Sequence, residues 1–386
     1  MIRKFEIYNF DHGYTHSAVV NIKPFKIYIN EEHCENLNSL ERREGKTFTI
    51  NDTEGSLDRV VLDKPRVKGS TCVTAIIEIE ELKIIPSKIY MDEEYNSVDD
   101  FVLFLSFITG RTAYLEHQLD DRSSVFYLEP VVNHNFFNIP IVDLIGGFER
   151  IEEQKLSAQF YNLVYANVLN DLPGLCFYAN STVNAVYERW CKQNGHTKYP
   201  QPKPIIEGLK KKLRTHLENS LNTKFKTWLY ETLNSEGVSE EVSQDVLARL
   251  KISNEPSAIY KFKKFLIGLN LYPKVETKEC EDRIKWINRV RNNMVHNGDI
   301  PSDKALSFEK RAEISTSITF ILFGIAEYYF AKHIFHIDNY LVDEREKHIR
   351  TFFETGEYHG KGVFDESFVE YIKRQEKEWI SNGNFV

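Results

Sequence analysis

Arg291 and His296 stand five residues apart in the stretch Arg291-Asn292-Asn293-Met294-Val295-His296, which runs directly into Asn297-Gly298. An arginine carries a permanent positive charge on a planar fork of donors that suits phosphate oxygens. A histidine can give or take a proton near neutral pH. The pair therefore offers charge stabilisation at a phosphate together with acid–base catalysis, the two things an RNA-cleaving site needs.

The surrounding pattern says how these residues would be held. Ile284, Ile287, Val290 and Met294 recur at intervals of three and four, the apolar stripe of a helix. Asn297-Gly298 and then Pro301 make a stop signal, with Gly298 suited to a left-handed cap. Asn292 and His296 are four apart and share a helix face, with Lys285 and Arg289 nearby. Arg291 is rotated about 140° from His296 at roughly 100° per residue, which places it inside the apolar arc. There it must snorkel to water or meet an anionic partner, because an unpaired buried charge is costly.

An Arg, a polar residue directly after it, and a His five positions on, followed by Asn-Gly, resemble the R-x4-6-H signature of the HEPN superfamily. The layout is similar to the Apea-like branch, in which an all-helical domain follows a β-rich one. That resemblance implies a long helix after the motif. Leu306–Phe335 offers it, with Ile314, Ile318, Ile321, Leu322, Ile325, Ala326 and Phe330 at helical spacing. Ser106-Phe107-Ile108-Thr109-Gly110-Arg111 resembles a phrase found in N-terminal domains attached to such modules. The resemblance covers residues 1–345 in architecture and six residues in motif.

Length and composition bound the reading. The 386 residues suffice for two domains with real cores, and 42% hydrophobic with 13% aromatic residues indicate an ordered chain. No run reaches the ~20 apolar residues that span a bilayer, because Ser, Thr, Glu327, Lys332 and His333 interrupt Ile314–Phe335. The first residues lack the apolar core of a signal peptide, so a cytoplasmic location without membrane contact is expected. Five scattered cysteines, with no C-x-x-C, argue against a disulfide framework and against a zinc ribbon. Net charge is −8, but it is unevenly spread. Residues 155–345 hold 27 basic and 22 acidic side chains, leaving 22 basic and 35 acidic elsewhere. The motif region is thus the part of the chain that would attract a polyanion.

The fold class expected is α+β. Segments 4–10, 17–29, 47–50, 58–62, 72–80, 84–91 and 124–132 read as strands, with one helix over 97–109. This makes 1–145 a β-rich N-terminal domain for recognition or regulation. Residues 143–150, with Gly146-Gly147, read as a bridge. The pattern then predicts helices over 151–172, 179–193, 205–222, 224–233, 239–250, 257–269, 281–296 and 306–335, so 151–345 is a helical bundle. Residues 346–386 read as a charged tail with one helix over 366–380.

Other constellations have ordinary readings. His12 and His16, with Glu31-Glu32-His33-Cys34 further on, have a ligand-like spacing but lie in a turn, and no metal is expected. His333 and His336 read as structural. Gly146-Gly147 lacks a phosphate-loop context. The basic run from Lys210 to Lys226 reads as a solvated helix face or an RNA contact. Lys261, Lys263 and Lys264 beside Tyr260, Phe262 and Phe265 could support base stacking, although those aromatics suit a core.

The HEPN resemblance implies a metal-independent endoribonuclease without cofactor. His296 would be the general acid or base, Arg291 the stabiliser of phosphate charge, and Asn292 the residue that orients His296 or touches phosphate. Arg289, Lys285 and Asn297 are the expected substrate-binding neighbours. The resemblance also implies a homodimer with facing motifs, a role in phage defence or a toxin-type stress response, and a phage-derived or cellular trigger read by the N-terminal domain. The apolar surface at Phe320–Ile325 points the same way as a homodimer. The rivals are a non-catalytic helical interaction module and a nucleotide-binding sensor.

Overall fold

The computed structural model describes residues 1–39, 48–50, 60–62, 72–90, 92–118, 131, 143–166, 172–197 and 257–381. Its architecture is α+β, with an antiparallel sheet near the N-terminus and helices through the rest. Strands β1 (Ile2–Tyr8), β2 (Ala18–Ile22) and β3 (Phe25–Ile29) precede helix α1 (Glu31–Ser39). They are followed by β4 (Phe48–Ile50), β5 (Val60–Leu62) and β6 (Val73–Glu80). The main sheet runs β1-β6-β3-β2, and β4 pairs with β5 alone.

The expected strand over 17–29 is a hairpin turning at Lys23-Pro24. The expected strand over 84–91 is instead irregular, with a short 3-10 turn before it and a single bridge between Pro86 and Asn96. The strand expected over 124–132 lies outside the described residues except at Val131. Helix α1 was not foreseen; Asn30 starts it by accepting the His33 amide at 2.8 Å.

Helix α2 (Ser97–Thr109) is buried along its whole length. Asn96 and Asp99 form a capping box at its start, and Gly110 ends it with φ +64°. One side meets the sheet, where Phe101 stacks on Phe25 at 4.1 Å. On the other side Phe104 and Phe107 join Phe148, Phe160, Phe330 and Phe335, for example Phe104–Phe335 at 4.7 Å and Phe107–Phe160 at 5.3 Å. Sheet-side and bundle-side elements thus share one core, and no break in packing falls at 145–151. Contacts instead divide the chain into Met1–Arg189 with Leu266–Val386, and Trp190–Phe265.

Residues 143–150 form no simple bridge. They begin helix α3 (Leu144–Glu153), capped by Asp143, whose carboxylate accepts the Gly146 amide at 2.9 Å. Gly147 has a packing reason: a Cβ there would meet the Phe335 ring at 2.4 Å. The helix expected over 151–172 is split, since Lys155 takes φ +54° before α4 (Ser157–Tyr165). Pro173 lies in the first turn of α5 (Leu172–Gln193) and does not break it, because a helix start has no use for that N–H.

Helix α6 (Ala258–Gly268) precedes the motif helix α7 (Lys278–Asn297), and α8 (Phe308–Tyr328) continues as a π-helical turn over Tyr329–Ile334. The segment Phe308–Ile334 is long and apolar enough to cross a membrane, but 83% of its most apolar window is buried inside the protein. The tail is more structured than expected. An unforeseen helix α9 (Tyr340–Thr355) and a short hairpin of β7 (Glu357–Tyr358) and β8 (Lys361–Gly362) lead into α10 (Glu366–Ser381). These elements help enclose α8. Ile321, Leu322, Phe323 and Ile325 are buried within the chain, so the apolar face offered above for dimerisation is already covered.

The unit Trp190–Phe265 is described at its two ends. Trp190 stacks on His196 at 5.3 Å and meets Phe265 edge-on at 5.8 Å. Phe262 and Phe265 are buried, so of the aromatics considered for base stacking these two are core residues. The basic run from Lys210 to Lys226 lies outside the described residues.

Candidate active site on the motif helix

Helix α7 begins at Thr277, whose hydroxyl accepts the Cys280 amide, and carries Glu279 and Glu281 in its first turn. Acidic residues there complement the positive end of the helix dipole. It ends at Gly298 with φ +74°, the cap expected from the sequence. Cys280, Ile284, Ile287, Val290, Arg291 and Met294 form its buried face. The loop that follows is fixed to α8 by Arg311, which pairs with Asp299 at 2.5 Å and donates to the Ile300 carbonyl at 3.1 Å.

Two faces of the helix carry different chemistry. Lys285, Asn292, His296 and Asn297 are exposed. With half-buried Arg289, the residues Lys285, Asn292 and His296 form a polar stripe about 16 Å long at 1.5 Å per residue. Lys285 pairs with Asp282 at 3.0 Å. Arg289 lies 3.7 Å from Glu376 of α10, and its Nη1 is buried without a hydrogen-bond partner. Helix α10 lies along this side because Trp286 packs edge-on against Phe364 and Phe368, at 5.2 and 5.6 Å.

Arg291 is only 4% exposed. It does not snorkel to water, and two of the groups that hold it are side-chain amides. Asn288, one turn earlier, accepts from Nε at 3.0 Å and from Nη2 at 2.6 Å. Asn184 of α5 accepts from Nη1 at 2.7 Å. Three bonds on three nitrogens fix both the plane and the position of the guanidinium. Asn288 is visible to sequence reasoning as an i−3 neighbour on the same helix face. Asn184 is 107 positions away, and only the fold brings it in.

The seam around Arg291 is unusually polar for a helix interface. Cys176, Asn180 and Asn184 follow one another at four-residue steps along α5, while Ser315 and Thr319 lie one turn apart on α8. Burial pushes the Cys176 thiol up to about 11, against the opposing pull of the Thr319 hydroxyl and the Arg291 charge. The buried Asn180 Oδ1 and Ser315 Oγ have no hydrogen-bond partner.

Four other histidines singled out in the sequence have surroundings of their own. His12 is fully buried; its Nδ1 accepts the Tyr14 amide at 3.1 Å, and burial lowers its pKa to about 4. His16 is exposed. His333 lies against Tyr328 and Tyr329 and is pulled down by burial, while His336 is exposed with φ +56°. Among the described residues no three His, Cys, Asp or Glu side chains are placed to hold a metal ion.

Compared with known proteins, the chain matches no family model, no curated protein and no solved structure.

Proposed function

We propose that this chain is a metal-independent endoribonuclease of HEPN type that works from the C-terminal half of helix α7. The observation that supports this most is the exposed polar stripe that ends at His296, backed by an arginine whose fork is fixed from two helices. In this reading the ribose 2′-oxygen attacks the adjacent phosphorus as it loses its proton. The O2′–P bond forms, the P–O5′ bond breaks, and the leaving oxygen takes up a proton. The products are a 2′,3′-cyclic phosphate and a 5′-hydroxyl. His296 carries one of the two proton transfers. Asn292, one turn below it, holds the imidazole or a phosphate oxygen. Arg289, Lys285 and Asn297 meet the flanking backbone, and Arg291 supplies fixed positive charge from behind the stripe.

One histidine does not serve both the attacking and the leaving oxygen easily, so a second copy of the motif from a homodimer completes the site. This expectation rests on the chemistry alone, since the apolar face of α8 is already covered. The N-terminal sheet region is the natural receiver of a trigger, of phage or cellular origin, in a cytoplasmic defence or stress role.

A second reading draws on the burial of Arg291: a structural clamp in a non-catalytic interaction module. One experiment separates the two readings. Total RNA is incubated with the protein in EDTA, and the ends of any fragments are mapped. Ends with 2′,3′-cyclic phosphate and 5′-hydroxyl favour the nuclease. Intact RNA at micromolar protein favours the module.

A further inference from the structure

We propose that the last turns of α10 are an autoinhibitory strap: Glu376 occupies Arg289 in place of an RNA phosphate, and substrate must displace it to bind. This rests on the ribonuclease reading above, in which Arg289 meets the RNA backbone. The two ends of α10 are held very differently. Its first half is fixed. Phe368, Tyr371 and Ile372 are buried, and Phe368 packs on Trp286. Asp365, just before the helix, pairs with Lys310 at 2.8 Å. Arg374 pairs at 3.1 Å with Asp303, whose side chain is 7% exposed. Beyond that anchor, Glu376, Lys377 and Glu378 are all exposed.

The contact between this outer half and Arg289 is poor. Nη2 of Arg289 lies 3.7 Å from the Glu376 carboxylate, and both side chains are partly open to water. An ion pair that long and that exposed is weak. Nη1 is buried with no hydrogen-bond partner, and a buried donor left unpaired destabilises the closed arrangement. A phosphate could take two nitrogens of the fork at once, which Glu376 does not. The position of the contact matters too. Arg289 falls between Lys285 and Asn292 on the polar stripe, so an RNA backbone laid along that stripe toward His296 runs into Glu376. A weak latch on a firmly anchored helix opens easily. Its closed population lowers the apparent affinity for RNA and leaves the chemical step untouched.

The test makes Glu376→Gln and Glu376→Lys in the full chain and follows cleavage of a short RNA at fixed salt, since phosphate contacts are salt-sensitive. KM should fall roughly threefold in Glu376→Gln, the scale of an exposed ion pair, and further in Glu376→Lys, with kcat unchanged. The same Glu376→Gln change is then made in an Arg289→Gln background. There it should do nothing, because the two side chains act as a pair. Cleavage with an unaltered KM in both Glu376 variants overturns the strap and leaves the nuclease standing. So does a KM that falls equally without Arg289, which would mark a general effect of negative charge. No cleavage by the wild type or by either variant overturns the ribonuclease reading, and the strap with it.

Discussion

Four arginines are buried among the described residues, and two of them, Arg111 and Arg291, are held in different ways. Arg111, 1% exposed, follows the left-handed Gly110 at the end of α2. Its Nε donates to the backbone carbonyl of Asn9 at 2.9 Å and to the Asn9 side chain at 3.0 Å, and Nη2 reaches the same side chain. Asn9 itself sits at φ +60° just after β1 and donates to the Thr112 carbonyl at 2.7 Å. Arg111 therefore satisfies backbone that has left its regular element, which a buried chain requires. Three bonds of Arg291 run instead to side chains, Asn288 on its own helix and Asn184 on α5. One arginine is tied to backbone that has left its strand, the other to side chains of two neighbouring helices.

The sharpest way to break the comparison is to keep the charge at each site and change its shape. Arg291→Lys retains the cation but loses the planar fork that three bonds now hold. RNA cleavage should fall by roughly 10²–10³, the range for a lost donor to developing charge, and the melting temperature should fall as well, because Asn184 and Asn288 lose their buried donor. Cleavage close to wild type would place Arg291 with Arg111 as a purely structural residue. At the other site, Arg111→Ala should cost about 3 kcal/mol by breaking a buried charged network, read as a shift in the urea midpoint. Loss of less than half that amount would show that the ends of β1 and α2 do not depend on it.

A smaller effect concerns His12, which packs between Phe10 and Tyr14. Its pKa is lowered from 6.5 to about 4 by burial. The folded protein then holds the neutral ring while the unfolded chain takes up a proton. The stabilisation is complete above pH 6.5 and is lost as pH falls toward 4, by about 2 kcal/mol at around pH 5. His12→Gln should flatten this part of the stability–pH curve. An unchanged slope in the variant would show that His12 is not the group responsible.

The sequence was most informative where local pattern and final environment agree. The apolar stripe, the Asn-Gly stop and Gly298 marked the motif helix to within a few residues, because cap and stripe are both local. The Ser106–Arg111 phrase was visible as a motif, but its meaning was not. Ser106 and Thr109 bond back to the carbonyls of Val102 and Leu105, and Arg111 crosses to Asn9. The charged composition of 340–355 hid a full helix whose buried residues Val342, Ile349, Phe352 and Phe353 are spaced among acids and bases. The absence of a packing break at 145–151 also escaped the sequence, since six phenylalanines from four parts of the chain must meet before they form one core. At the site, the exposed stripe was legible from helical spacing. The clamp on Arg291 was not, because the Asn184 acceptor lies on α5.

The central claim is that His296 performs chemistry at an exposed helix end that the fold does not need. The most direct measurement is the cleavage rate of a short RNA in EDTA by wild type and by His296→Ala, with melting curves recorded on the same preparations. The account predicts a rate lower by about 10²–10⁴, the usual worth of a proton-transfer group, with a melting temperature unchanged within a degree or two, as for a surface substitution. A folded His296→Ala protein that cleaves at the wild-type rate would contradict it.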